Sequence, residues 1–164
     1  HNYACVAAAL IVFGVAFILV ENLRKGRKSK IRSLDAIDYR TAALIGVFQL
    51  IAAIFPGTSR SGATIVGALL LGVSRRTSVQ FTFILAIPVM LGASLLKLVK
   101  NGSSIAGSEW VILIVGMATA CVVSLLVIRQ LLDYVSKHSF KPFGWYRIAL
   151  GALVLAFFTI RALG

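Results

Sequence analysis

Acidic residues are scarce in this sequence: it has five, against 17 lysines and arginines, in 164 positions. Charged residues of both signs make up 13%, about half of the roughly 25% that a soluble globule presents to water. An ordinary soluble domain is excluded. Cysteine is almost missing as well. Cys5 and Cys121 lie in apolar runs without metal-ligand spacing, so both read as small buried hydrophobes, not as a disulfide framework or a zinc site. A secretory signal is not evident either, because the first apolar run is too long and lacks a basic n-region. The sequence has no initiating methionine and enters an apolar run just after His1-Asn2-Tyr3. A segment of a longer polypeptide is expected.

What is present is apolar mass and clustered positive charge. Hydrophobic residues make up 59% and the mean hydropathy is +0.95, so most of the outer surface must face lipid. The net charge of +12 is concentrated. Arg24, Lys25, Arg27, Lys28, Lys30 and Arg32 crowd a short loop between two apolar runs. Nucleic-acid binding would need a solvated basic face with stacking aromatics, whereas the phenylalanines sit inside the apolar runs. Positive-inside topology accounts for the charge; a membrane partner is expected and a nucleic acid is not.

A spanning helix needs about 20 mostly apolar residues, and the stretches 3–21, 77–96, 110–128 and 143–160 meet that length. The stretch 41–74 carries a single charge, Arg60, and is broken by Pro56-Gly57. If it returns to the side it left, only Lys97, Lys100 and Arg161 lie opposite the basic loop 23–40. If it crosses, Arg75, Arg76, Arg129, Lys137, Lys141 and Arg147 fall on the wrong side. The positive-inside rule selects the return. A Pro-Gly break at membrane depth also demands cover by protein or a polar cavity. The expected fold is an all-α integral membrane protein in one domain, 1–164, with four transmembrane helices and a re-entrant helical hairpin at 41–74. Pro88 is expected to kink its helix. Gly62, Ala63, Gly67, Ala68 and Gly72 make the second half of the hairpin slim enough for close backbone approach, and Gly116 with Ala120 offers a similar contact.

Chemistry is concentrated at the hairpin tip. An arginine at a helix centre costs about 2.5–3.5 kcal/mol on insertion scales, and Arg60 has no acidic neighbour in sequence. Ser59 and Ser61 flank it, with Thr58 before and Thr64 after. Gly57 and Gly62 permit tight backbone geometry. A helix restarting over about 61–73 would aim its free N–H groups and positive dipole end at this loop. Hydroxyls, amides and a guanidinium together suit phosphate oxygens. A transporter could hold a carboxylate in the same manner, so a carrier or flippase for an anionic lipid or metabolite stands as the alternative. Between residues 39 and 108 there is no Asp, Glu or His, so a serine nucleophile would lack a base. The candidates elsewhere, Glu21, Asp35, Asp38, Glu109, Asp133 and His138, are expected at solvated helix ends and loops.

The run Gln49 to Phe55, followed by Pro56-Gly57-Thr58-Ser59-Arg60-Ser61-Gly62-Ala63-Thr64, resembles the second signature of the undecaprenyl-diphosphate phosphatase (bacitracin-resistance) family, P-G-x-S-R-S-G-x-T. It matches at every fixed position. Asp38-Tyr39-Arg40, Gly72-Val73-Ser74-Arg75, Pro142-Phe143 and Tyr146-Arg147 extend the likeness over the whole chain. The family's first signature, a Glu-x-x-x-Glu pair with a Pro-x-Ser-Ser-x-Gly-His run, is absent. Gln49 and Ala53 stand where the glutamates would be. The resemblance implies the C-terminal half of an inverted-repeat enzyme in the bacterial cytoplasmic (inner) membrane. Its reaction would be hydrolysis of undecaprenyl diphosphate, recycling the lipid carrier for peptidoglycan and conferring bacitracin resistance.

On that resemblance Arg60 clamps the diphosphate and Ser59 joins it in catalysis. Gly57, Thr58, Ser61, Gly62, Thr64 and Gln49 shape the substrate site. A divalent metal, Mg2+ or Ca2+, would take its ligands from the N-terminal repeat and none from this chain, so these residues alone are expected to be inactive. The expected partners are the polyprenyl diphosphate, the membrane, the N-terminal repeat and a second copy as a homodimer.

Overall fold

The computed structural model describes residues 3–55, 57–101 and 107–163; Pro56, at the tip of the expected hairpin, lies outside them. Its helices are α1 (Tyr3–Leu23), α2 (Tyr39–Ile54), α3 (Arg60–Leu70), α4 (Arg75–Asn101), α5 (Gly107–Lys137) and α6 (Lys141–Leu163). Four of them are long and apolar enough to cross a membrane, over Cys5–Leu23, Arg75–Asn101, Glu109–Lys137 and Lys141–Ile160. The protein is an all-helical membrane type. α4 runs through Pro88 without a break in the helix.

α1 and α6 pack antiparallel along a seam of small residues. A methyl group on Gly14 would stand 2.8 Å from the Gly144 carbonyl oxygen, and one on Gly144 would stand 2.7 Å from that of Gly14. Backbones this close exclude any side chain, and close packing is what holds helices together where lipid is as apolar as leucine. α3 approaches α2 in the same way: a methyl on Gly67 would fall 2.5 Å from the Phe48 ring. Gly116 of α5, expected to make a similar contact, meets nothing within 4 Å. Cys121 on the same helix is exposed, not buried, because no other described helix covers that stretch.

α2 and α3 form the helix–break–helix unit. Asp38 caps α2 by accepting from the Thr41 amide at 3.0 Å. Hydrogen bonds from Thr41 hold its carboxyl below the ordinary value, so the cap is intact at neutral pH and is lost as acid protonates it. The chain entering this unit lies beside the chain leaving it. Lys30 N–H donates to Gly72 O at 3.0 Å, Ser74 N–H donates to Ile31 O at 2.8 Å, and Ile31 pairs with Val73. The break lies at the opposite end, where Gly57 touches Val6. Val6 and Glu21 are both on α1, so at 1.5 Å per residue the break sits roughly 22 Å from the base.

That base is pinned by a buried carboxylate. Glu21 is 4% exposed, contrary to the solvated helix end expected of it. Arg75 donates to it through both Nε (2.8 Å) and Nη2 (2.5 Å), and the Phe140 amide adds a third bond at 3.0 Å. The end of α1, the start of α4 and the α5–α6 link therefore meet on one side chain. Charge that close to lipid is held only when it is fully paired. Phe17, Val20, Val66, Leu69, Val79, Val135 and Phe140 form the core packed around it.

Candidate functional site

Gly57 makes the break with φ +89 and leaves no room for a side chain, since a methyl there would lie 2.7 Å from Val6 Cα. Thr58 and Ser59 follow, and Ser59 is the N-cap of α3. Its Oγ accepts from the Gly62 amide at 3.1 Å and lies 3.2 Å from Ser61 Oγ. The cap satisfies one of the helix's orphan N–H groups. The contact between the two hydroxyls uses one of their two protons, so the Ser59–Ser61 pair keeps one to donate.

Behind the cap, Thr64 is buried at 1% exposure. Its hydroxyl lies 3.2 Å from Arg60 O and 3.0 Å from Ser61 O as donor, and accepts from Thr82 of α4 at 3.0 Å. Thr64 thus holds the first turn of α3 against α4 and does not face outward. Gln49 is half-buried on α2 and is not among the residues lining the cavity at the cap.

That cavity, about 320 Å³, is lined at one end by Ser59, Ser61, Gly62, Tyr146 and Arg147. Its volume is at the small end of the roughly 300–1,000 Å³ usual for small-molecule sites. Phe17, Ile65, Phe83, Leu131, Phe140 and Phe143 are among the residues lining the rest. The Phe17 and Phe140 rings lie 5.7 Å apart between centroids, and Phe143 meets Phe140 edge-on at 6.2 Å. The cavity is polar at the helix cap and aromatic beyond it.

Arg147 is the residue that sequence reasoning misses. In the sequence it stands out only as loop charge and as part of a resemblance. α6 instead begins at Lys141, which places Arg147 inside the bundle. Its Nη1 would be 3.4 Å from a methyl on Gly62. Its Nε and Nη2 are buried and have no hydrogen-bond partner among the described residues. Nε and Nη2 form the side-on fork, the same edge that Arg75 gives to Glu21. A buried unpaired donor costs about 1–3 kcal/mol, and more when it is charged. Thr58 Oγ1 is likewise buried without a partner among the described residues. The signal that could reveal Arg147 is its place in an early turn of an apolar helix, the same anomaly that draws attention to Arg60.

Arg60 is the first residue of α3 and is exposed. It does not line the cavity, and among the described residues its guanidinium has no ion-pair partner. The start of α3 therefore carries one arginine outside the cleft and faces another within it. Carboxylates are absent from the lining, and among the described residues no three of His, Cys, Asp and Glu gather to hold a metal. Hydroxyls and guanidinium donors do not fit a divalent cation, which takes carboxylate and carbonyl oxygens.

The fold and the cleft define a multi-pass helical membrane protein with a hydroxyl- and arginine-lined pocket at a helix N-terminus. The chain belongs to the bacitracin resistance protein BacA family, whose model matches residues 1–153. It is similar to the undecaprenyl-diphosphatase of Desulfitobacterium hafniense, 56% identical over 163 residues, covering 99% of this chain and 59% of that protein. Undecaprenyl-diphosphatase 1 of Clostridium acetobutylicum is 58% identical over 160 residues, covering 98% and 58%. That of Lachnoclostridium phytofermentans is 52% identical over 159 residues, covering 97% and 58%. The chain spans just under three fifths of the length of these relatives.

Proposed function

We propose that this chain supplies the phosphate-gripping part of a membrane enzyme that hydrolyses undecaprenyl diphosphate to the monophosphate. One observation carries the reading: the Nε–Nη2 fork of Arg147, without a partner among the described residues, is buried beside Ser59 and Ser61, at the N-terminus of α3. An arginine fork binds two phosphate oxygens at once. Ser59 and Ser61 donate to a third oxygen, and the α3 dipole favours the negative charge. Arg60, next to the cap, closes on the diphosphate from the outer side and stabilises charge that develops on the transferred phosphoryl group.

The aromatic end of the cavity suits the first isoprene units, while the remaining tail stays in lipid. In this reading 41–74 is a re-entrant hairpin opening from the cytoplasmic side of the inner membrane. Its reach up α1 brings the cradle to the far part of the bilayer. The general base, and the ligands of any Mg2+ or Ca2+, belong to chain outside 1–164, an N-terminal repeat that would close the cleft. Among the described residues Ser59 has no base beside it that would make it a nucleophile.

The test is phosphate release from undecaprenyl diphosphate by the full-length protein. Arg60→Ala should lower kcat/KM by on the order of 10²-fold, the usual effect of removing one transition-state donor. Unchanged turnover would remove Arg60 from the mechanism. Movement of intact substrate across liposomes without cleavage would replace the phosphatase with a transporter.

A further inference from the structure

A second polar region lies at the base of the bundle, away from the cleft. Arg24, Arg27, Arg75 and Arg76, with the Ser29 and Ser136 hydroxyls, line a cavity of about 280 Å³. Arg24 and Arg27, with Lys28 and Lys30, line a neighbouring one of about 180 Å³. Glu21 is the single carboxylate on either wall. Both of its oxygens are already engaged by Arg75 and the Phe140 amide.

Arg24 is fixed as the partition. It donates to Leu69 O and to Ser29 Oγ, the latter at 3.1 Å. Its pKa is held below the usual guanidinium range by burial; Glu21 opposes this, while Arg75 and Arg27 push the same way. Arg27 and Arg76 are both exposed and make no side-chain hydrogen bond or ion pair among the described residues. The walls therefore carry more positive charge than the protein neutralises.

The position decides the partner. These cavities lie where α1 ends and α4 begins, at the ends of two candidate spans on the side of the basic loop, which is where a bilayer spanned by those helices would place its headgroups. No aromatic residue lines either one, which removes the stacking surface a nucleic acid would use. Basic pockets between transmembrane helices on the cytoplasmic side suit anionic headgroups. We infer that an acidic phospholipid of the inner leaflet seats its phosphate among Arg24, Arg27, Arg75 and Arg76, with the neighbouring cavity taking the rest of its headgroup. The inference is independent of the proposed function, because no residue is shared with the Ser59–Arg147 cleft.

The experiment uses the full-length protein in phosphatidylcholine nanodiscs with and without phosphatidylglycerol, and native mass spectrometry to count the phosphatidylglycerol retained on release. Wild type should retain it. Arg27→Ala/Arg76→Ala should bind it roughly tenfold or more weakly, as expected for two lost basic contacts at the membrane surface. Lys25→Ala/Arg40→Ala removes equal charge from outside both cavities and should retain it. Equal loss in both double variants would show diffuse attraction and overturn the site. Competition by millimolar inorganic phosphate as effective as that of the lipid would overturn the lipid assignment.

Discussion

Glu21 and Arg147 show how the same chemistry serves two ends. In each case a guanidinium fork is enclosed by helices. Arg75 spends its fork on a carboxylate and locks α1 to α4, while the fork of Arg147 meets no partner among the described residues. Removing one partner of a buried pair costs about 3–5 kcal/mol, here reduced because the Arg75 side chain is 40% exposed. Glu21→Ala should therefore destabilise the full-length protein by about 2–4 kcal/mol, read as a fall in Tm in detergent, with Glu21→Gln milder. No change in Tm would show that the pair is not a fastener. The sequence displays Glu21 only as a carboxylate at the end of an apolar run. What buries it is Arg75, 54 positions later, and the Phe140 amide beyond that, and contacts at that separation leave no local pattern.

The helix–break–helix unit of α2 and α3 is far more legible. Its two helices, the break at Gly57, the restart at the arginine and the slim face of the second helix all follow from local rules about glycine and apolar length. The sequence places the restart at about 61–73 and α3 is Arg60–Leu70, since Ser59 caps one residue earlier than expected and Gly72, with φ +95, ends the run. The slim face is used against Phe48. Gly67→Ala should cost about 1–3 kcal/mol by overpacking. Gly57→Ala combines a positive φ with a clash against Val6 backbone and should cost at least as much, since a strained backbone alone costs about 1–3 kcal/mol. Urea or thermal unfolding of the full-length protein checks both; a neutral Gly57→Ala would show that the break is not seated on α1. Gly116 follows the same sequence rule and meets no partner among the described residues, because small residues signal a close approach without naming what approaches.

Across the whole molecule, cover is uneven. The lower part of the bundle has a packed core, whereas the membrane-span window of α5 has none of its residues buried. Four spans and the all-helical class are readable from hydropathy. The cleft is readable only by half: Ser59, Ser61 and Gly62 stand in one motif, whereas Arg147 joins them from α6 only through folding. Because no carboxylate or histidine among the described residues lines the cleft, residues 1–164 expressed alone should release phosphate from undecaprenyl diphosphate no faster than a protein-free control; robust turnover would mean that the base lies within this chain.

The most direct measurement is the affinity of the full-length protein for a non-hydrolysable prenyl methylene-bisphosphonate, titrated with wild type and with Arg147→Ala. A phosphate-holding fork predicts affinity lower by on the order of 10²-fold in the variant, as when a charge-assisted bidentate contact is lost. Arg147→Lys should recover only part of it, because an ammonium cannot reproduce the fork. Equal affinity in wild type and Arg147→Ala would contradict the account.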